Sequence, residues 1–155
     1  MLLNRRAVLF GLLGAATPAF VRAKDKLQMT VYKDPSCGCC GAWLEHVKKA
    51  GIDANVVEIR TIEAVKKRFG IPDALTSCHT AEIGGYVIEG HVPAVEILRA
   101  LRERPDAKGL AVAGMPPNSP GMELCGAPEA QYDVVLFQKD NSFRTYARYR
   151  GGQQI

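Results

Sequence analysis

Hydrophobic positions recur along the chain with two different spacings. In some segments apolar and polar residues alternate, which is typical of a half-buried strand. In others apolar residues recur every three or four positions, as on one face of a helix. In chain order they predict a strand over 27–32, a helix over 42–50, a strand over 54–59, a helix over 62–69, strands over 76–83 and 86–88, and a helix over 93–104. This alternation predicts the α/β class.

Turn-forming residues separate these elements and shape the C-terminal third of the chain. Gly84-Gly85, between two strand patterns, predicts a tight hairpin. Residues 113–128 contain four prolines and three glycines, which predicts a loop without regular structure. Residues 132–138 and 143–149 flank a polar turn and predict a terminal hairpin. The Met/Pro/Gly loop and the C-terminal β-hairpin are therefore expected as additions to an α/β core.

The first 23 residues have the features of an export signal peptide. A basic stretch ending in Arg5-Arg6 precedes the uncharged, mostly apolar run 7–16, and Val21-Arg22-Ala23 suits a cleavage site. The run is too short to span a bilayer, and the arginine pair resembles a twin-arginine signal. We expect cleavage after Ala23, export by the Sec or twin-arginine route, and a periplasmic destination. An uncleaved membrane anchor is the alternative.

Composition and charge narrow the function classes. The chain has 155 residues, of which 47% are hydrophobic and 23% charged, so it fits one globular domain and not a disordered or collagen-like chain. Its formal net charge is +4, but residues 1–23 hold three arginines and no acidic residue, which leaves +1 for residues 24–155. No basic stripe marks a nucleic-acid partner. We expect a single domain over 24–155 with no nucleic-acid partner and no stable membrane span.

Three of the five cysteines lie within four positions, in Cys37-Gly38-Cys39-Cys40. Cys37 and Cys40 have C-x-x-C spacing, and the start of a helix beside them would lower the thiol pKa and favour the thiolate. A cysteine motif that opens the first helix of this element order resembles the thioredoxin fold. That resemblance implies a cis proline at Pro72 and places Cys78-His79 beside the helix start. A structural disulfide with one buried thiol, and an inert buried Cys78, are the plain alternatives.

The side chains expected near this motif are soft metal ligands. Thiolates select Cu(I), zinc or iron–sulfur clusters, whereas a thioether favours Cu(I) over zinc. Met115 and Met122 in the proline-rich loop can supply thioethers, unless they only cover apolar surface. The imidazole of His79 can bind metal or hydrogen-bond the backbone. Cysteines this close along the chain suit thiolates that bridge several Cu(I) ions better than one tetrahedral zinc ion.

Four stretches of sequence stand out together. They are YKDPSCGCCG at 32–41, SCHTA at 77–81, GYVIEGHVP at 85–93, and GMP with SPGME within 114–123. In this order they resemble the CopG-type copper-resistance family, small exported proteins once catalogued only as a domain of unknown function. The resemblance covers nearly all of the mature chain. It implies a thioredoxin-like core and periplasmic Cu(I) binding at the C-x-C-C motif, with several copper ions in a cluster.

The resemblance also implies a set of metal ligands. They are Cys37, Cys39, Cys40 and Cys78, followed by His79, Met115 and Met122. Cys125 matches no motif of the family and stays unassigned. His91, near a helix start, is interpreted as structural, and His46, among charged helix residues, as solvent-facing.

Two functions remain open from the sequence. The first is a periplasmic copper-binding protein for copper resistance or homeostasis, which holds Cu(I) and passes it to another periplasmic copper protein. The second is a thiol–disulfide oxidoreductase in which Cys37 attacks and Cys40 resolves the mixed disulfide. A third hypothesis is a zinc or iron–sulfur protein, which metal analysis would distinguish from a copper protein.

Overall fold

The structure is a computed structural model that describes residues 26–123 and 128–155. Within these residues the chain forms eight strands, three α-helices and a 3-10 turn at Asp73–Leu75. The strands are β1 (Leu27–Lys33), β2 (Ile52–Glu58), β3 (His79–Ile83), β4 (Tyr86–Glu89), β5 (Gly109–Ala111), β6 (Gln131–Phe137), β7 (Phe143–Arg150) and β8 (Gln153–Gln154). The helices are α1 (Gly38–Lys49), α2 (Ile62–Phe69) and α3 (Ala94–Glu103). The predicted α/β class is confirmed.

All eight strands join one sheet in the order β2-β1-β3-β4-β5-β6-β7-β8. β1 is parallel to β2 and β4 is parallel to β5, and the other neighbouring strands are antiparallel. The hairpin predicted at Gly84-Gly85 is confirmed, because Ile83 pairs with Tyr86 and both glycines have positive φ angles. The terminal hairpin is confirmed as β6 and β7, and β5 joins it to β4 in the same sheet.

The sequence pattern does not predict β5. Its three residues are too few to show a period, and Gly109 is also typical of a helix end. The structure gives this glycine another role. A Cβ at position 109 would collide with the carbonyl oxygen of Val87 and lie 2.8 Å from the ring of Phe137. Gly109 therefore allows β5 to fit between β4 and β6.

Helix α1 is held in place by its buried face. Cys40, Trp43, Leu44 and Val47 are buried, and the indole Nε1 of Trp43 donates a hydrogen bond to the carbonyl oxygen of Val92 at 2.9 Å. The helix starts at Gly38, earlier than predicted, so its N-terminus lies inside the cysteine motif. Packing of this face therefore fixes the position of the cysteines relative to the sheet.

The thioredoxin resemblance predicts a cis peptide bond at Pro72, and this prediction is wrong. Every peptide bond in the described part of the chain is trans. The 3-10 turn Asp73–Leu75 separates Pro72 from β3, and the residues directly before β3 are Ser77-Cys78. The segment that meets α1 at this point is therefore the one that carries a cysteine.

The predicted export signal and one cysteine lie outside the described residues. These are residues 1–23 and Cys125. Over 26–123 and 128–155, no helix combines the length and the apolar character needed to cross a membrane.

Candidate metal centre

The cysteine motif lies at the N-terminus of α1. Cys37 occupies the N-cap position, and its backbone N–H donates to the carbonyl oxygen of Asp34 at 3.0 Å. The first turn of the helix contains no acidic residue, so no carboxylate within that turn offsets the positive end of the helix dipole beside the cysteines. Gly38 and Gly41 are exposed, and nothing lies within 4 Å of a Cβ built on either. The motif is therefore electropositive and open at its two glycines, although Cys40 itself is buried.

Four cysteine sulfurs come together here. Cys37 and Cys40 form a disulfide, while Cys39 and Cys78 are free thiols. The Sγ of Cys39 lies 3.7 Å from that of Cys37, and the Sγ of Cys78 lies 3.7 Å from that of Cys40. The four sulfurs are all within 4.8 Å of one another. Reduction of the disulfide would therefore leave four thiols around one point.

Cys78 lies at the centre of a wider group of ligand atoms. Its Sγ is 3.9 Å from the Sγ of Cys39, 3.2 Å from Nδ1 of His79 and 3.0 Å from Nε2 of His91. Both imidazole rings are fully buried, and they meet edge to face with centroids 5.2 Å apart. The sequence places Cys78 and His79 together, but it takes the fold to add His91 and the α1 cysteines.

Burial controls the protonation of this group. Burial first, and then the neighbouring Cys39 thiol, raises the pKa of Cys78 to about 12. Burial, followed by the charges of His91 and Lys66, holds the pKa of His79 well below its ordinary value, and burial also lowers the pKa of His91. At neutral pH the histidines are therefore neutral with a lone pair available, and Cys78 keeps its proton until a metal ion or another electrophile displaces it.

The tautomer of His91 follows from its second hydrogen bond. Its Nδ1 lies 2.7 Å from the carbonyl oxygen of Pro120, which can only accept, so Nδ1 carries the proton. The lone pair on Nε2 therefore points at the sulfur of Cys78. The interpretation of His91 as structural misses this contact. The sequence contains a signal for this contact in the Gly84-Gly85 turn. The turn sets the register of β3 with β4, and that register, continued beyond both strands, brings position 91 opposite Cys78.

The interpretation of His46 as solvent-facing is wrong. Its ring is half-buried, and its Nε2 accepts a hydrogen bond from the backbone N–H of Ala94 at 3.0 Å. That N–H belongs to the first turn of α3 and has no partner within the helix. His46 thus connects α1 to α3 and lies outside the cysteine group.

The two loop methionines are placed differently. The sulfur of Met115 lies 3.9 Å from the Sγ of Cys39, and its side chain is about half exposed, at 51%. Met122 is held through its backbone, which donates to Ser119 and accepts from Asn118. The structure therefore brings Met115 to the rim of the cysteine group, while Met122 anchors a turn of the same loop.

The donor set suits a soft metal ion. Sulfur supplies five of the atoms described and neutral imidazole supplies the others, and such donors bind Cu(I) or zinc. The ring of His79 faces Cys78 with Nδ1, while its Nε2 is buried and has no hydrogen-bond partner in the described part of the chain. Carboxylates, which suit Mg²⁺ or Ca²⁺, are absent from the two groups of potential ligands found among the described residues.

Comparison with solved structures shows which family this fold and cysteine motif belong to. Two solved structures described as copper resistance protein copG, in its forms 2 and 1, are each 42% identical to this chain. They superpose with a TM-score of 0.76, covering 81% and 82% of this chain and 99% and 100% of theirs. The chain belongs to the CopG family of copper resistance proteins.

This membership confirms the predicted resemblance to the CopG-type copper-resistance family. A family model described as a protein of unknown function, DUF411, matches residues 75–122. That stretch includes Cys78, His79, His91 and Met115 but begins after the C-x-C-C motif. No curated protein matches the chain.

Proposed function

We propose that this CopG family member is an exported copper-binding protein that holds Cu(I) on a thiolate cluster, for copper resistance or homeostasis. One observation carries the proposal: the sulfur of Cys78 lies within 4 Å of two α1 cysteine sulfurs and two histidine nitrogens. The proposed ligands are Cys37, Cys39, Cys40 and Cys78, with His79, Met115 and Met122 from the sequence and His91 from the fold.

Copper binding on all four sulfurs requires the reduced protein. Two electrons from a thiol or phosphine reductant open the Cys37–Cys40 disulfide, and the two protons come from the thiol reductant or, with a phosphine, from water. Each thiol that then binds Cu(I) releases its proton to solvent. Because the four sulfurs lie within 4.8 Å of one another, neighbouring ions would share thiolates, so we propose that several Cu(I) ions bind per chain.

The rest of the proposal concerns the setting of the site. We propose that residues 24–155 form a single domain with a thioredoxin-like core, since β1, α1, β2, α2, β3, β4 and α3 follow in the order that the resemblance implies. Residues 1–23 would be removed on export to the periplasm, where another copper protein would exchange Cu(I) with the site. The exposed Met115 beside Cys39 supports exchange at the rim of the cluster.

Anaerobic titration of the reduced protein with Cu(I), against a chromogenic Cu(I) chelator, tests the proposal. The wild type should withdraw several equivalents of Cu(I) from the chelator. The triple variant Cys37→Ser/Cys39→Ser/Cys40→Ser should withdraw little or none, while Cys125→Ser, which removes the cysteine outside the proposed ligand set, should behave as the wild type does.

Equal binding by the wild type and the triple variant would exclude the proposed site. Titration with Zn²⁺ and metal analysis of protein purified from the periplasm separate the copper protein from a zinc or iron–sulfur protein. Zinc or iron in stoichiometric amount, with no copper, would overturn the choice of metal.

Thiol–disulfide exchange is a second candidate function, and the Cys37–Cys40 disulfide at a helix N-terminus is the observation that favours it. In the reduced form the Cys37 thiolate would attack a substrate disulfide, and Cys40 would then displace the reduced substrate and re-form the disulfide. The nearby thiols of Cys39 and Cys78 would compete for the intermediate. Insulin-reduction turnover comparable to that of a thioredoxin would favour this function over copper binding.

A further inference from the structure

Ser77 joins two segments that carry proposed ligands. It directly precedes Cys78, and its hydroxyl donates a hydrogen bond to the carbonyl oxygen of Gly114, the residue before Met115. The backbone N–H of Gly114 in turn donates to the carbonyl oxygen of Thr76 at 3.0 Å. These two hydrogen bonds tie the start of the methionine loop to the residues that lead into β3.

Ser77 is itself held from the interior of the protein. Its backbone N–H donates to Oε1 of Glu89 at 2.7 Å, and the same carboxylate forms a salt bridge with Lys66. Glu89 is fully buried, and its Oε2 accepts from the hydroxyl of Thr80 at 2.6 Å. These partners hold the Glu89 carboxylate in one orientation. Its hydrogen bond with the backbone N–H therefore fixes the backbone of Ser77 on the side that faces the protein interior.

The packing around Ser77 leaves little room for movement. Gly90 lies against it with a φ angle of 71°, and a Cβ on that residue would collide with the side chain of Ser77 and lie 2.6 Å from the carbonyl oxygen of Val112. The backbone of Ser77 is therefore held rigidly, with its hydroxyl directed at the methionine loop. By contrast, Met115 is half exposed, and the two hydrogen bonds at Gly114 help to hold this end of the loop beside Cys39.

We propose that Ser77 is the positioning residue for Met115, which keeps the thioether sulfur against the Cys39 end of the cluster. The inference rests on the proposed copper-binding function. Loss of the hydroxyl removes one of the two hydrogen bonds that hold Gly114, which loosens the backbone before Met115 and lets its sulfur move away from Cys39, while the four cysteines and both histidines keep their places. Ser77 would have its main effect on copper through Met115, and its side chain also forms a hydrogen bond that favours the Cys78 thiolate.

A double-mutant cycle on Cu(I) affinity tests this. The proteins are the wild type, Ser77→Ala, Met115→Leu and the double variant, each reduced and titrated against the Cu(I) chelator. We expect Ser77→Ala to weaken the affinity by about tenfold, which is typical of an outer-shell partner. In the Met115→Leu background the same change should cost no more than about twofold, since it then has no sulfur to position.

Ser36→Ala is the matched control. Ser36 also directly precedes a cluster cysteine, but its hydroxyl donates to Asp34 within its own turn, so its loss should leave Cu(I) affinity unchanged. Thermal unfolding of each apo variant checks that Ser77→Ala keeps the wild-type fold. A merely structural role would weaken binding equally in both backgrounds.

The possible results distinguish failure of the Ser77 inference from failure of the proposed copper-binding function. If the wild type binds Cu(I) no better than the triple cysteine variant, both fall. If the wild type binds and the effects of Ser77→Ala and Met115→Leu multiply, or if either single variant keeps wild-type affinity, only the role of Ser77 is overturned. An effect of Ser77→Ala that disappears in the Met115→Leu background supports it.

Discussion

Lys66 and Glu89 form a buried ion pair behind the cluster. Glu89 is fully buried and Lys66 is 8% exposed, and Lys66 also donates to the hydroxyl of Thr80 at 3.2 Å. Burial raises the pKa of Glu89, and the charge of Lys66 is the largest influence that opposes this rise. Without Lys66, the carboxylate would be left in the interior with no positive charge beside it.

We expect Lys66→Met to destabilise the protein by about 3 kcal/mol, at the low end of the cost of breaking a buried pair, because Ser77 and Thr80 still donate to the carboxylate. In a domain of this size that corresponds to a fall in Tm of about 10 °C. The loss should shrink as the pH is lowered. The pKa of Glu89 rises further in the variant, so its folded state takes up a proton at a pH where the unfolded chain does not. Urea unfolding at neutral and acidic pH measures both effects.

The control variant is Lys67→Met, since Lys67 is exposed on the same helix. Combining Lys66→Met with Glu89→Gln should recover most of the lost stability, because a neutral amide needs no counter-charge and its carbonyl can still accept from Ser77. A loss below about 1 kcal/mol for Lys66→Met, the scale of an exposed ion pair, would refute the reasoning. An equal loss in Lys67→Met would do the same.

Three further outcomes follow from the site and its supports. Cys78→Ser should weaken Cu(I) binding by more than about 100-fold, beyond the usual cost of losing an outer-shell partner, and chelator competition showing unchanged affinity would contradict this. Oxidised protein with the Cys37–Cys40 disulfide intact should bind fewer equivalents of Cu(I) than reduced protein in anaerobic titration, and equal stoichiometry would remove both sulfurs from the ligand set. Gly90→Ala should lower stability by about 2 kcal/mol or more in urea unfolding, because of its positive φ angle and the collision with Ser77. Gly41→Ala, which meets no atom within 4 Å, should not destabilise the protein, and similar losses for the two variants would argue against the packing explanation.

The pattern of apolar and polar residues predicts the helices and strands of the core, because the backbone conformation of each depends mainly on residues close together in the chain. The Gly84-Gly85 turn is an example, since two residues that tolerate positive φ are enough to set the pairing of β3 with β4. Continued beyond the ends of the two strands, that pairing brings position 91 opposite Cys78, but only the fold shows that the two side chains meet. By contrast, β5 has three residues and shows no period, so its presence depends on the strands on either side.

The sequence by itself determined the α/β class, the cysteine motif at the first helix, and the family to which the chain belongs. These follow from spacing along the chain, where a residue's neighbours decide its backbone angles and the face it occupies. Only the tertiary structure decided that β5 joins the terminal hairpin to the core sheet, that Met115 meets Cys39, and that a buried carboxylate stands behind Ser77. The physical reason is that these contacts join residues far apart in the chain. They exist only where packing of the helices and strands brings the partners together, and no local pattern records that packing.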